Sequence, residues 1–190
     1  PDQVNGEVAY DIGAALASHL RPRAIAIGRD MRQSSNELFD GLNRALNDSG
    51  VDVIDLGLIS TDGLYFAVGK YDYEGGVMIT ASHNPKQYNG FKICRKHAEP
   101  LSGSEGLSQM LAMICDGTHL NRLPSRGVTI RKDIADEYAA HCLSFIDPKK
   151  VRPYHVVIDA GNGMAGATLP PVLAQLPIKV TPLYFELDGT

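Results

Sequence analysis

The sequence predicts a layered α/β fold: a mixed sheet packed between helices, followed by the opening of a second, similar α/β unit. Two observations carry this expectation. Short apolar runs ending in glycine or a polar turn alternate with stretches of helical spacing. A charged segment with a proline near each end, DPKKVRP at residues 147–153, then separates these elements from a fresh strand-loop-helix pattern.

In chain order, EVAYDIGAALASHL (7–20) places Val8, Ile12, Ala15 and Leu16 on one helical face. RAIAIG (23–28) is a short apolar strand ending at Gly28. SSNELFDGLNRALNDSG (34–50) opens with a capping-box pattern, Ser34 to Glu37, closes on Gly50, and carries a stripe of Leu38, Leu42, Ala45 and Leu46. VDVIDLG (51–57) is the next strand and STDGLYFAVGKY (60–71) a short helix. GGVMITAS (75–82) and NGFKIC (89–94) are strands on either side of a polar loop. SEGLSQMLAMI (104–114) and KDIADEYAAHCLSFI (132–146) are later helices, separated by polar residues 116–127. Past the linker, YHVVIDAGNGMAG (154–166) and IKVTPLYFE (178–186) begin the second unit. The expected division is residues 1–147 for the first domain and 148–190 for the linker and start of the second.

Composition narrows the function classes. Hydrophobic residues make up 44% and charged residues 21% of the 190, as in ordinary globular chains. A net charge of −4 argues against non-specific nucleic-acid binding, which needs a clustered basic surface. No apolar run reaches the roughly 20 residues of a membrane span, and there is no signal-peptide pattern. The three cysteines lack CxxC pairing and the six histidines are scattered, so zinc has no support and a reducing, cytoplasmic setting is expected. His141 and Cys142 are adjacent on a helix and expected to be buried packing residues. Beginning at Pro1 and stopping after FELDGT, the chain reads as a piece of something longer. Its oligomeric state is not written in the sequence.

Chemistry concentrates in GGVMITASHNPKQYNGFKI, residues 75–93. Ser82 and His83 are neighbours, so on extended backbone their side chains point apart, an awkward route to a Ser-His hydrolase pair. The stretch also lacks the G-x-S-x-G elbow. Phosphoryl transfer suits it better. A phosphorylated serine carries about −1.5 to −2 charges and three acceptor oxygens, and needs cationic and donor partners. Lys92 can return on the next strand, His83 and Asn84 offer donors, and Gly90 is expected to let the chain turn back. An incidental polar surface turn is the bland alternative.

TASHNPKQYNGFKI resembles the active-site serine signature of the α-D-phosphohexomutases, the phosphomannomutase/phosphoglucomutase family. GRDMRQSS (28–35) resembles the family's G-R-D-x-R-x-S-S loop, and IDAGNGMAG (158–166) the start of its second domain. The resemblance implies that Ser82 is the phosphorylated serine, exchanging its phosphoryl group with hexose phosphates through a hexose 1,6-bisphosphate. It implies that Lys92 stabilises the group and assists proton transfer, with His83 and Asn84 flanking. Magnesium is implied as cofactor, touching Ser82 through its phosphate. Arg29 and Asp30 are expected to support phosphate or substrate, a structural salt bridge being the alternative. The family's amino-terminal arginine stretch, its D-G-D-x-D-R metal loop and its sugar-recognition loops are absent, so no substantial mutase activity is expected of these 190 residues alone. The signature is closer to phosphomannomutase/phosphoglucomutase members than to phosphoglucosamine mutases. Mannose against glucose phosphate stays open.

A rival lies in VVIDAGNGMAG. Gly161, Gly163 and Gly166 satisfy G-x-G-x-x-G after a strand, and Glu186 follows 20 residues later, the outline of a dinucleotide site in an oxidoreductase. Asp159 would set a negative charge near the pyrophosphate, and Pro170 and Pro171 fall inside the required helix. A tight strand-to-helix connection is the simpler reading. A non-catalytic, mutase-like module is the third class.

Overall fold

The computed structural model describes residues 4–120 and 123–189. Helix α1 (Gly6–Leu20) starts where the Asn5 side chain accepts the amide hydrogens of Glu7 and Val8, and stops at Arg21, which is left-handed at φ 50°. Its buried face is Ala9, Gly13, Ala14, Ala15, Leu16 and Ala17. The expected stripe is rotated, since Val8 and Ile12 are only half-buried. Small residues face α2 (Ser35–Asp48), and the two helices approach closely. At the crossing, a Cβ on Gly41 would lie 2.2 Å from the Gly6 carbonyl oxygen and 3.0 Å from Ala9 Cβ. Gly41→Ala is therefore expected to cost about 1–3 kcal/mol by overpacking, read as a lower urea midpoint. An unchanged midpoint would mean that the helices part freely.

The stripe of α2 is as expected: Leu38, Leu42, Ala45 and Leu46 are buried. The capping box does not form. Ser34 is itself helical (φ −78°, ψ −8°) and its side chain caps no amide. Tertiary partners take both side chains: Glu37 accepts the Gly6 N–H at 2.9 Å, and the Ser34 hydroxyl accepts from Asn89 at 3.0 Å.

Six strands form the main sheet: β1 (Ala24–Arg29), β2 (Asp52–Leu58), β3 (Gly75–Ile79), β4 (Phe91–Arg95), β5 (Glu99–Pro100) and β6 (Thr129–Arg131). Their spatial order is β5-β4-β3-β1-β2-β6, with β3, β1, β2 and β6 parallel, β4 antiparallel to β3, and β5 antiparallel to β4. Alternating side chains fill two layers. Ile25, Ile27, Val53, Val77 and Ile79 pack against α1, α2 and Met110 of α4 (Ser108–Cys115). Ala26, Ile54, Leu56 and Met78 pack against α3 (Thr61–Lys70) and Ile134, which precedes α5 (Ala135–Leu143). Cys94 lies in this second layer, where burial pushes its thiol up to about 11, so it stays protonated. His141 corrects an expectation: it is exposed, its ring tilted 4.7 Å from that of Phe66 and edge-on to Phe145 at 4.9 Å, while Cys142 is half-buried.

Past the short turn Pro148–Lys150, β7 (His155–Asp159) and β8 (Lys179–Leu183) form a separate parallel pair. Between them the helix breaks into α6 (Ala165–Thr168) and α7 (Pro170–Leu173), at the prolines. Among the described residues no helix is long and apolar enough to cross a membrane.

Candidate active site

The site forms at the carboxyl ends of the parallel strands, where open α/β sheets present their loops. Strands β1 and β3 are neighbours, and the chain leaving β1 bonds to the end of β3 through Asp30 N–H to Ile79 O at 3.1 Å. The hairpin from β3 to β4 carries the serine loop. Its neck closes with Thr80 N–H to Gly90 O at 2.9 Å.

Asp30 is 6% exposed and receives four hydrogen bonds. The Arg32 amide (3.1 Å) and Ser35 hydroxyl (2.9 Å) donate to Oδ1; Arg32 Nε (3.0 Å) and the Thr80 hydroxyl (2.7 Å) donate to Oδ2. Thr80 Oγ1 in turn accepts the Ser82 N–H at 2.9 Å. Arg32 is 9% exposed and uses every guanidinium hydrogen. Beyond Asp30, Nη1 donates to the carbonyls of Pro85 (2.8 Å) and Tyr88 (2.9 Å), and Nη2 to those of Ser82 and Asn84 (both 2.9 Å). Asn89 closes the frame, donating to the Ser34 and Ser35 hydroxyls at 3.0 Å and accepting the Gly90 N–H at 2.9 Å.

On this frame Ser82 is exposed and left-handed at φ 53°, a conformation that costs a non-glycine residue on the order of 1–3 kcal/mol. His83 and Asn84 are exposed beside it. Lys92 is exposed on β4, where it pairs with Met78 one rung inside the pair nearest the loop, Ile79 with Phe91. The hairpin thus brings Ser82, His83, Asn84 and Lys92 to one end of the sheet. Gly90 is not in the left-handed region, and a Cβ there would meet only ordinary contact with Thr80 O at 3.6 Å. The expected reason for a glycine at this position therefore does not hold.

Arg29 and Asp30, expected to support phosphate or substrate, have partners within the chain. Arg29 Nη1 bonds Asp55 Oδ1 at 2.7 Å, its Nε bonds Asn36 at 3.1 Å, and its guanidinium lies 4.2 Å above the Phe39 ring. Asp55 also pairs with Arg131 at 3.1 Å. This is the structural salt bridge that the sequence left as the alternative. Asp30 is consumed by the frame beneath the loop. A cleft of about 740 Å³ beside β1 and β2 is lined by Arg29, Asp55, Arg131, Tyr138, Thr168 and Leu187, and Ser82 is not in its wall. Sequence reasoning missed Arg32, Thr80 and Asn89. All three stand in the quoted stretches, yet nothing in their spacing shows that four guanidinium hydrogens of Arg32 converge on one loop.

Among the described residues no group of three or more His, Cys, Asp and Glu is placed to hold a metal ion. These side chains therefore do not make a magnesium site by themselves; a phosphate on Ser82 would offer oxygens, and further ligands would have to come from elsewhere. The glycine loop after β7 is tied to its own chain. Asp159 accepts the Gly161 N–H at 2.8 Å, Asn162 donates to the Glu186 carbonyl at 2.9 Å, and a Cβ on Gly166 would lie 2.0 Å from Phe185 O. Its glycines serve a tight connection, and the dinucleotide reading is not favoured.

Comparison with known proteins agrees with this geometry. The chain is 36% identical over 196 residues to a phosphomannomutase of Salmonella typhimurium, covering 100% of this chain and 43% of that protein. It is 36% identical over 189 residues to a protein of Xanthomonas campestris named for phosphohexose mutases, covering 100% of this chain and 42% of that one. The crystal structure of a phosphoglucomutase/phosphomannomutase family protein from Burkholderia thailandensis superposes with a TM-score of 0.85 at 30% identity, over 98% of this chain and 42% of that one. The chain thus spans less than half the length of these relatives. The family model for phosphoglucomutase/phosphomannomutase, alpha/beta/alpha domain I, matches residues 1–113, and the chain belongs to that family.

Proposed function

We propose that this chain is the phosphoserine-bearing part of a phosphohexomutase, which interconverts hexose 1-phosphate and hexose 6-phosphate, of mannose, glucose or both. Ser82 carries the reading: it is exposed and held left-handed on a loop whose carbonyls are tied to a buried arginine. In the proposed cycle the phosphoryl group leaves Ser82 Oγ for a free sugar hydroxyl. One P–O bond breaks and another forms, the sugar hydroxyl gives up its proton, and Ser82 Oγ takes one back. The resulting hexose 1,6-bisphosphate then returns its other phosphoryl group to Ser82. Lys92 is the cation proposed to steady the transferred oxygens and to assist the proton's movement, with His83 and Asn84 beside the serine. Magnesium, implied by the family, would neutralise charge on those oxygens when bound.

We take residues 1–147 as the first domain and 148–190 as the linker and start of the second. A cytoplasmic enzyme suits three cysteines that are all free.

The reading is tested by assaying full-length protein and the 190-residue chain side by side with mannose and glucose 1-phosphates, Mg²⁺ and catalytic hexose 1,6-bisphosphate. The full-length protein should form the 6-phosphate and the shorter chain should show no substantial turnover. Normal turnover by the 190-residue chain would overturn the expectation that it lacks essential parts. No turnover by the full-length protein on either sugar would leave the non-catalytic module as the better reading.

A further inference from the structure

We propose that Arg32 is the positioning residue of the serine loop, acting on Ser82 through the loop's main chain and not on substrate. This deepens the reading of Ser82 as phosphoryl carrier and rests on it.

Four of the five guanidinium hydrogens end on backbone carbonyls of one short segment, those of Ser82, Asn84, Pro85 and Tyr88. A contact to carbonyls sets the path of the loop whatever its side chains are. It also sets the orientation of the peptide groups. All described peptide bonds are trans, and in a trans peptide the carbonyl and the following N–H point in opposite directions. Turning the carbonyls of Ser82, Pro85 and Tyr88 inward onto Arg32 therefore turns the amides of His83, Lys86 and Asn89 away from it, outward from the frame. The left-handed φ of Ser82 is held from both sides, by its carbonyl on Arg32 Nη2 and its N–H on Thr80 Oγ1. Both holds lead to Asp30, which neutralises Arg32 and accepts from Thr80.

The arm that carries Arg32 is itself braced. A Cβ on Gly189 would lie 2.3 Å from Met31 O and 3.2 Å from Gln33 N, so the second unit lies flush against the residues on either side of Arg32. Lysine cannot replace this arrangement: it keeps the charge but has three donors on one nitrogen and no planar fork.

The test uses full-length protein with Arg32→Lys and Arg32→Ala, with two independent readouts. Amide exchange of residues 83–89 is followed by mass spectrometry, with β1 and β3 as internal controls for the fold. Loading of phosphate onto Ser82 from hexose 1,6-bisphosphate is followed in parallel. The expected result is faster exchange confined to the loop in both variants. Loading and kcat should fall by about 10²-fold, the scale of a small misplacement of reacting groups. KM should change little, and added guanidinium should partly restore Arg32→Ala. Should Arg32→Ala not fold, Arg32→Lys with protected β1 and β3 amides carries the test. Loop exchange and loading equal to wild type in Arg32→Lys would overturn the proposal. If wild-type Ser82 takes up no phosphate, the functional reading falls, and loop exchange alone still decides whether Arg32 positions the loop.

Discussion

Asp30→Ala is expected to destabilise the protein by about 3–5 kcal/mol, the usual cost of removing one partner from a buried ion pair. The pair is buried on both sides, with the Arg32 and Asp30 side chains each 8% exposed. Removing the carboxylate strands more than a charge. The Arg32 amide, the Ser35 hydroxyl and the Thr80 hydroxyl lose their acceptor together. Asp30→Asn keeps an acceptor oxygen but not the charge, and should fall between wild type and alanine. Urea unfolding of the three proteins measures the series. A loss under about 1 kcal/mol for alanine, the level of a solvated surface pair, would mean that Arg32 reaches water and that the frame beneath the serine loop is not as described.

Ser82→Ala should do the opposite: remove function and spare the fold. Ser82 is exposed, and the bonds that tie it to the frame run through its N–H and C=O, which alanine retains. Stability should stay within about 0.5 kcal/mol, as for surface substitutions generally. Phosphoryl transfer should fall by about 10⁴-fold or more, the scale seen when a nucleophile is deleted. Turnover within tenfold of wild type would show that another group carries the phosphoryl. A large loss of stability would show that the hydroxyl is part of the framework.

Much of this fold is legible in the chain, and the misses have physical causes. The apolar runs at 25–27 and 77–79 fall on β1 and β3, and the run at 51–57, broken only by Asp52 and Asp55, on β2, because strands buried on both faces read as largely hydrophobic stretches. Strands β5 and β6 escape that signal. They are two and three residues long, exposed throughout, and defined by the neighbour they pair with. The capping box at Ser34 and Glu37 fails because distant partners, Asn89 and Gly6, outbid local bonds. At the site, the serine stretch identifies itself by the order of its residues. The frame does not, since Arg32 and its four carbonyl partners are separated by 50 to 56 positions in the chain. Arg29 and Arg32 are also indistinguishable in sequence. One pairs with Asp55 in a structural bridge and the other holds the loop, and only the sheet register and the turn after β1 separate their roles.

The central claim is that Ser82 carries the phosphoryl group, and peptide mass spectrometry of the full-length protein, purified from its own cells, tests it most directly. Phosphate on the peptide containing Ser82, mapped to that residue and lost in Ser82→Ala together with mutase activity, is the expected result. An unmodified Ser82, even after incubation with a hexose 1,6-bisphosphate and Mg²⁺, would contradict it and leave a loop kept for its shape.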